Sequence, residues 1–410
     1  MRAGMTIDDH AAVGARRATL AGLCASLVGI GLARFAYTPL IPALIAAGWF
    51  TPAQAAYLGA ANLAGYLAGA LLARRIAALV PTGALLRTMM AVATAAFFAC
   101  AAPLSFSWFF VWRFAAGIAG GVLMVLAAPV VLAQVPPARR GLASGAIFTG
   151  VGLGIAASGT LVPLLLRAGL STTWCGLGAL ALGLTALAWG GWPRGRAVPA
   201  APPASAPARH GRRPPALRAL YVEYALIAAG LVPHMVFLVD FVARGLGRGL
   251  DVGGQYWVVF GLGAAIGPLA TGQLADRIGF QRALRLALVV QTMAVALPAL
   301  TAGPIWLALS SLAVGAMVPG IVPLVLGRVH ELSPAGEPGR TAAWSFATVA
   351  FALGQAAAAY GFSFLFARAG DGYAMLFGLG AAVLALALTI DLVAAALGGK
   401  SNGTASPGQQ

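Results

Sequence analysis

The stretch Gly272-Gln-Leu-Ala-Asp-Arg-Ile-Gly-Phe-Gln-Arg282 places a glycine, an acid and two arginines between two long apolar segments. Gly272 would let two helix ends approach closely, and Asp276 could cap or salt-bridge a neighbouring helix terminus. Arg277 and Arg282 would hold the stretch on the cytoplasmic side of a membrane, where basic loop residues concentrate. The stretch therefore predicts a short cytoplasmic loop between two membrane helices.

The composition of the chain supports a membrane location. Of 410 residues, 60% are hydrophobic and 9% are charged, whereas soluble domains carry roughly 25% charged residues. The formal net charge of +16 would suggest a nucleic-acid partner in a soluble domain. Here the basic residues fall almost entirely between apolar segments, so we expect membrane lipids and no nucleic acid as partners.

Apolar stretches long enough to cross the roughly 30 Å of hydrocarbon in a bilayer recur along the whole chain. They predict an all-α protein with twelve transmembrane spans and both termini on the same side. The predicted spans are 18–47, 53–73, 83–103, 107–135, 141–166, 172–192, 218–243, 254–275, 283–302, 304–327, 341–367 and 372–397.

The arginines fix the orientation of these spans. With both termini inside, twenty of the 26 Lys and Arg residues lie in inner segments. Only Arg167, Arg244, Arg248 and Arg368 lie in outer loops. The positive-inside rule therefore predicts that both termini are cytoplasmic.

The spans divide the chain into two six-helix bundles, 18–192 and 218–397, with tails at 1–17 and 398–410. Residues 193–217, rich in Pro, Ala and Arg, are predicted to be a disordered cytoplasmic linker. The three cysteines fall in apolar spans, so neither a disulfide framework nor a metal site is expected.

The pattern G-x-L-A-D-R-x-G at 272–279 resembles the signature loop of the major facilitator superfamily. This resemblance implies two pseudo-symmetric six-helix halves, transport by alternating access, and a gating role for Gly272, Asp276, Arg277 and Arg282. An internal repeat agrees with it, because residues 69–74 align with residues 272–277. The first copy departs from the motif, since Ala73 stands where the motif has Asp.

Two further stretches resemble motifs of the same superfamily. Arg113, followed by Gly117, Gly120 and Gly121, is similar to its second motif. Residues 31–42, GLARFAYTPLIP, resemble the first-helix signature of the YbfB/YjiJ-type branch.

Ionisable groups inside the membrane are costly and therefore functional candidates. Arg34 and His234 lie near mid-membrane on spans related by the repeat, so we expect them to face each other across a central cavity. For Arg34 the alternative is hydrogen bonding to backbone carbonyls at a helix break beside Pro39. For His234 the alternative is a neutral core group.

Other buried polar groups have similar alternatives. Arg113 could pack against the first helix, and Asp240 could pair with Arg244 four residues later. Glu223 and Asp391 lie near the inner surface and are interpreted as structural. The candidate substrate contacts are Arg34, Tyr37, Asn62, Tyr66, Arg113, His234 and Gln355, and the candidate proton-coupling residues are His234 and Asp240.

The resemblance and these residues predict a monomeric secondary transporter of the bacterial inner membrane, with no cofactor and with protons as the candidate coupling ion. Arg34 and Arg113, with no intramembrane acid in the first half, favour a small anionic organic solute. The alternative is proton-driven efflux of hydrophobic compounds or drugs from an apolar cavity. No catalytic motif supports an enzyme, and no phosphate-binding loop supports direct use of ATP.

Overall fold

The computed structural model describes residues 7–136, 140–192, 215–333, 337–369 and 372–402. This part of the chain is almost entirely helical. Its α-helices are α1 (Ile7–Ser26), α2 (Tyr37–Ala46), α3 (Pro52–Leu79), α4 (Thr82–Ala99), α5 (Phe106–Leu132), α6 (Arg140–Leu166), α7 (Leu170–Ala188), α8 (Pro215–Gly230), α9 (Val232–Asp240), α10 (Leu250–Ile278), α11 (Phe280–Leu300), α12 (Pro304–Leu332), α13 (Glu337–Ala369) and α14 (Tyr373–Asn402).

The described helices contain twelve spans that are long and apolar enough to cross a membrane. Two of these spans are interrupted. The first, Val13–Ala46, consists of α1, a π-helical turn at Leu27–Leu32 and α2. The seventh, Pro215–Gly245, consists of α8, α9 and a second π-helical turn at Phe241–Gly245. The predicted all-α fold with twelve spans is confirmed.

The helices extend into segments predicted as tails. α1 begins at Ile7 and α14 continues to Asn402. Backbone hydrogen bonding does not depend on the hydrocarbon of the bilayer, so a helix can extend beyond its apolar stretch. Most of the predicted linker lies outside the described residues.

Small residues hold corresponding helices together in the two halves. A Cβ atom on Gly65 of α3 would lie 2.1 Å from the carbonyl oxygen of Phe114 on α5. In the second half, a Cβ atom on Gly267 of α10 would lie 1.9 Å from the carbonyl oxygen of Ala316 on α12. Both pairs show the close backbone approach that glycine permits in membrane bundles.

The surface of the bundle is apolar where lipid would contact it. Leu262, Ile266 and Leu269 on α10, for example, are 51%, 59% and 62% exposed. In a soluble protein such a surface would mark an interaction site. Here it fits burial in hydrocarbon.

The end of the bundle with the α3–α4, α5–α6 and α10–α11 connections is called the predicted inner face, and the opposite end the predicted outer face. The two halves meet through α2 and α9, α3 and α13, and α6 and α10. Between described residues, the hydrogen bonds and ring contacts that join the halves run from mid-membrane to the predicted outer face. The halves are thus joined on the predicted outer side.

Candidate functional site

The break in the first span positions Arg34. The π-helical turn ends with hydrogen bonds from Ala33 N to Val28 O at 3.0 Å and from Phe35 N to Ile30 O at 3.4 Å. Pro39 cannot donate a backbone hydrogen bond, which favours such an interruption. Arg34 projects from this break towards the second half.

The Arg34 guanidinium lies between aromatic rings, and no described acid pairs with it. Its Cζ atom is 5.0 Å from the ring centre of Phe35 and 5.2 Å from that of Tyr66. Within the described part of the chain, no carboxylate oxygen lies within 4.0 Å of its nitrogens. Its buried Nε atom has no hydrogen-bond partner. A guanidinium in this setting offers unused donors to an anion.

Arg113 satisfies the broken backbone of the first span. Its Nη1 atom donates to the carbonyl oxygen of Ala33 at 2.6 Å, and its Cζ atom lies 4.3 Å from the ring centre of Tyr37. The Tyr37 hydroxyl donates to Ala55 O at 2.8 Å, and Asn62 Nδ2 donates to Arg113 O at 3.0 Å. Arg113 therefore packs against the first span, as predicted.

Met235 connects the two halves at this level. Arg34 Nη2 lies 3.9 Å from the Met235 sulfur, and Gln355 Nε2 lies 3.5 Å from it on the other side. The Thr38 hydroxyl donates to the Met235 carbonyl oxygen at 2.6 Å. A thioether is a weak acceptor, so Met235 occupies a position that a stronger acceptor could take.

A small cavity of about 20 Å³ lies between these groups, room for about one water molecule. Its polar lining includes Arg34, Tyr37, Asn62 and Arg113. Asn62 Oδ1 and the Nε atoms of both arginines are buried without partners, as is Gln355 Oε1 beside Met235. Buried polar atoms normally have partners, so these atoms mark the cavity as a candidate binding site. Four of the seven candidate contacts line this cavity: Arg34, Tyr37, Asn62 and Arg113. Tyr66 lies against Arg34, and Gln355 contacts Met235.

His234 is the seventh candidate, and the structure does not bring it to Arg34. Successive helical residues point about 100° apart, so when Met235 faces Arg34, His234 faces the core of the second half. Its Nε2 atom lies 2.8 Å from Ser310 Oγ, which itself donates to Ala294 O at 2.6 Å. His234 is fully buried and packs edge-on against Phe377. The alternative interpretation, a neutral core histidine, describes this geometry.

Asp240 is fully buried and fully partnered near the predicted outer face. Arg244 Nε donates to its Oδ1 at 2.6 Å, and the Tyr373 hydroxyl donates to its Oδ2 at 2.6 Å. This is the predicted pairing of residues four apart on one helix. Its proton-coupling role stays a prediction.

The gating stretch lies at the predicted inner face, but it is helical. Gly272, Asp276 and Arg277 occupy the last turns of α10, and Arg282 lies in the first turn of α11. The connection is Gly279, whose φ of +82° favours glycine. The expected loop across the whole stretch is thus reduced to one residue.

The contacts expected of the gating stretch are also missing in this conformation. A Cβ atom added to Gly272 would have no described neighbour within 4 Å. Gly272 therefore mediates no close approach of helices here. Asp276, Arg277 and Arg282 are exposed. Among described residues they form no salt bridge within 4.0 Å. The gating role stays a prediction for a conformation in which the inner ends come together.

Sequence reasoning missed the residues that join the halves. Trp257 Nε1 donates to Ser158 Oγ at 3.1 Å, and the Trp257 ring centre lies 6.0 Å from that of Phe35. Thr38 and Met235 form the second polar contact. Their only sequence signal is polar or aromatic character inside a span, which many core residues share.

No metal centre is evident in the described residues, where no three His, Cys, Asp or Glu side chains come together to hold an ion. The described free cysteines are Cys24 and Cys100, which are buried, and Cys175, which is exposed.

Comparison with known proteins identifies the family. A family model described as "Uncharacterised MFS-type transporter YbfB" matches residues 26–392. A search of curated protein sequences finds no match.

Solved structures of transporters share the fold. The nucleoside transporter NupG, in a point-mutant form, is similar with a TM-score of 0.73 and 12% identity, over 92% of this chain and 99% of that one. A D-xylose-proton symporter gives 0.66 and 15%, over 92% and 96%. A bacterial homologue of the human lysosomal transporter Spinster, inward-facing and unoccupied, gives 0.64 and 14%, over 95% and 96%. At such low identity, the likeness shows a common fold.

Proposed function

Because the chain belongs to the YbfB-type family of major facilitator superfamily transporters, we propose that it is a secondary active transporter of a small organic anion. Transport would proceed by alternating access across the bacterial inner membrane. Both termini would be cytoplasmic, as the distribution of arginines predicts.

One observation supports the anionic substrate above the others. Arg34 lies where the halves meet, and within the described residues no carboxylate is within 4.0 Å of it. An unpaired charge inside a membrane costs at least a few kcal/mol. A carboxylate held by two guanidinium nitrogens would offset this cost and satisfy Nε.

The neighbouring residues suggest how such a solute would be held. Arg34 would bind the carboxylate after the Met235 side chain moves aside, and Gln355 and Asn62 would bind further polar groups of the solute. Phe35 and Tyr66 already flank the guanidinium, so an apolar or aromatic body would fit beside the charge.

A second candidate function is efflux of hydrophobic compounds. The same cavity is also lined by Phe35, Ile41, Leu63 and Val236, and an apolar wall can bind such compounds without specific charges. In this case Arg34 would stabilise the fold and would not bind the solute.

A binding experiment separates the two functions. The thermal unfolding temperature of the purified protein would be measured with lactate, succinate and benzoate, with uridine and xylose, and with the lipophilic cation tetraphenylphosphonium. Ligands that bind the native state raise this temperature. We expect carboxylates to stabilise the wild type and to have no effect on Arg34→Ala.

Arg218→Ala, which removes an exposed arginine at the start of α8, is the matched control and should respond as the wild type does. Stabilisation by tetraphenylphosphonium alone, unchanged in Arg34→Ala, would contradict the anion proposal and support efflux. Carboxylate stabilisation that persists in Arg34→Ala would remove Arg34 from the site.

A further inference from the structure

Glu223 is a buried carboxyl group outside the site described above. It lies on α8, eight residues after Pro215, and is 2% exposed. This places it roughly 12 Å along the helix from its start, inside the predicted inner half of the membrane. Its Oε1 atom is buried without a hydrogen-bond partner.

The charged groups around Glu223 already have partners of their own. From α14 it faces Asp391, which pairs with Arg285 of α11. From α12 it faces Arg328, which pairs with Glu331. Both arginines therefore act on Glu223 from a distance while bound to another carboxylate.

Aromatic side chains of α8 near Glu223 pack against α13. The next residue, Tyr224, packs against Trp344 and Phe351 of α13, with ring centres 6.3 Å and 4.6 Å apart. Tyr221, one turn earlier, packs against Phe346 of the same helix. Among the described side chains on these elements, no cation forms a salt bridge with Glu223 within 4.0 Å.

Such surroundings favour the neutral form of a carboxyl group. Burial removes water from the charged form, and the carboxylate of Asp391 repels a second negative charge. Asp240 differs, because Arg244 and Tyr373 bind both of its oxygens. Of these two buried acids, Glu223 has the surroundings in which a proton can be held and released.

We propose that Glu223 binds the proton that drives transport. This inference rests on the proposed function as a secondary transporter. The carboxylate would take one proton that enters from the predicted outer face while that side is open and would release it to water at the predicted inner face when α8 moves, and no covalent bond to the solute would form or break. The proton would thereby neutralise the Glu223 carboxylate, whose negative charge is unfavourable while α8 is packed against α12 and α14.

The seventh span links this proton to the solute site. α8 continues through Leu231 into α9, and Met235 on α9 contacts Arg34. Glu223 and Met235 are twelve residues apart, roughly 18 Å along a helix. Movement of α8 on protonation would shift Met235, which lies beside the candidate solute position.

An infrared measurement tests protonation without any solute. In the reconstituted wild-type protein at neutral pH, we expect the C=O stretch of a protonated carboxylic acid. The band should be lost in Glu223→Gln and kept in Asp251→Asn, which removes an exposed acid at the predicted outer face. The proposal is overturned if the wild type lacks the band or if Glu223→Gln retains it unchanged.

Transport assays test coupling. Proteoliposomes would receive labelled lactate, succinate or benzoate with the membrane potential clamped. For one coupled proton, a gradient of about one pH unit supports about tenfold accumulation. We expect Glu223→Gln to lose accumulation but to keep exchange of labelled for unlabelled solute at equal pH. Glu223→Asp, which retains a titratable group, should recover part of the accumulation.

The outcomes distinguish the two proposals. Accumulation by Glu223→Gln at the wild-type level overturns the role of Glu223. Loss of both exchange and accumulation in Glu223→Gln also overturns it, provided that Glu223→Asp loses both as well. If the wild type moves none of the three anions, the anionic substrate is refuted, and the infrared band still decides whether Glu223 binds a proton.

Discussion

Two buried hydrogen bonds join the halves on the predicted outer side, and their removal should open that side. The Thr38 hydroxyl donates to Met235 O at 2.6 Å, and Trp257 Nε1 donates to Ser158 Oγ at 3.1 Å. Thr38→Val removes the first bond at nearly constant volume. Ser158→Ala removes the acceptor of the second and leaves the indole N–H buried without a partner.

The magnitude follows from what each bond contributes in this conformation. Removing one partner of a buried hydrogen bond costs at least about 1 kcal/mol, because the other partner stays without a hydrogen bond in this conformation and would bind water in the open one. The double variant should therefore weaken closure of the outer side by about 2 kcal/mol, which is about a 30-fold change in the ratio of the two conformations.

Distances between spin labels on the two halves measure this ratio. Labels at Ser171→Cys and Asp251→Cys report on the predicted outer face, and labels at Arg75→Cys and Arg218→Cys report on the predicted inner face. All four positions are exposed. Exposed Cys175 would be replaced by serine to prevent background labelling. In the double variant we expect longer outer distances and shorter inner distances.

Thr94→Val is the matched control, because Thr94 bonds Thr185 at 3.1 Å inside the first half. It should lower the unfolding temperature without changing either distance distribution. Unchanged distributions in the double variant would refute the reasoning that these bonds hold the outer side closed. The same change in both variants would show a general loss of packing.

Three further predictions follow from individual residues. Gly267→Ala should lower the unfolding temperature, because its Cβ would lie 1.9 Å from Ala316 O. Gly272→Ala should raise it slightly, because its Cβ would have no neighbour within 4 Å and alanine favours a helix more than glycine does. Equal shifts in the two variants would contradict this packing. Asp276→Asn should slow solute exchange more than it weakens equilibrium binding, and weaker binding at an unchanged rate would argue against a gate. Arg34→Lys should bind carboxylates more weakly than the wild type, because an ammonium lacks the planar fork of a guanidinium, and equal binding would contradict two-point recognition.

The twelve spans, their boundaries to within six residues and the family were predictable from the sequence. Span length and apolar character are local properties that a bilayer enforces on each segment separately. The break in the first span could also be anticipated, because Pro39 lacks a backbone donor whatever surrounds it. The position of Arg34 within the span placed it near the middle of the membrane.

The direction in which each side chain faces depends on the tertiary structure. Met235 contacts Arg34, whereas His234 faces Ser310. The sequence pattern could not show this, because Met235 and His234 are neighbours on one helix and both are flanked by apolar residues. Gly272, expected at a close contact, faces open space in this conformation.

The partners of the buried acids were also decided by packing. Asp240 could be paired with Arg244 from the sequence, because four residues separate them on one helix. Glu223 gave no such signal. Its charged neighbours are Arg285 of α11, Arg328 of α12 and Asp391 of α14, which lie 62 to 168 residues later in the chain, and both arginines pair with other carboxylates. Sequence specifies which charges enter the membrane, and only the packing of distant helices determines which of them are left without a counter-ion.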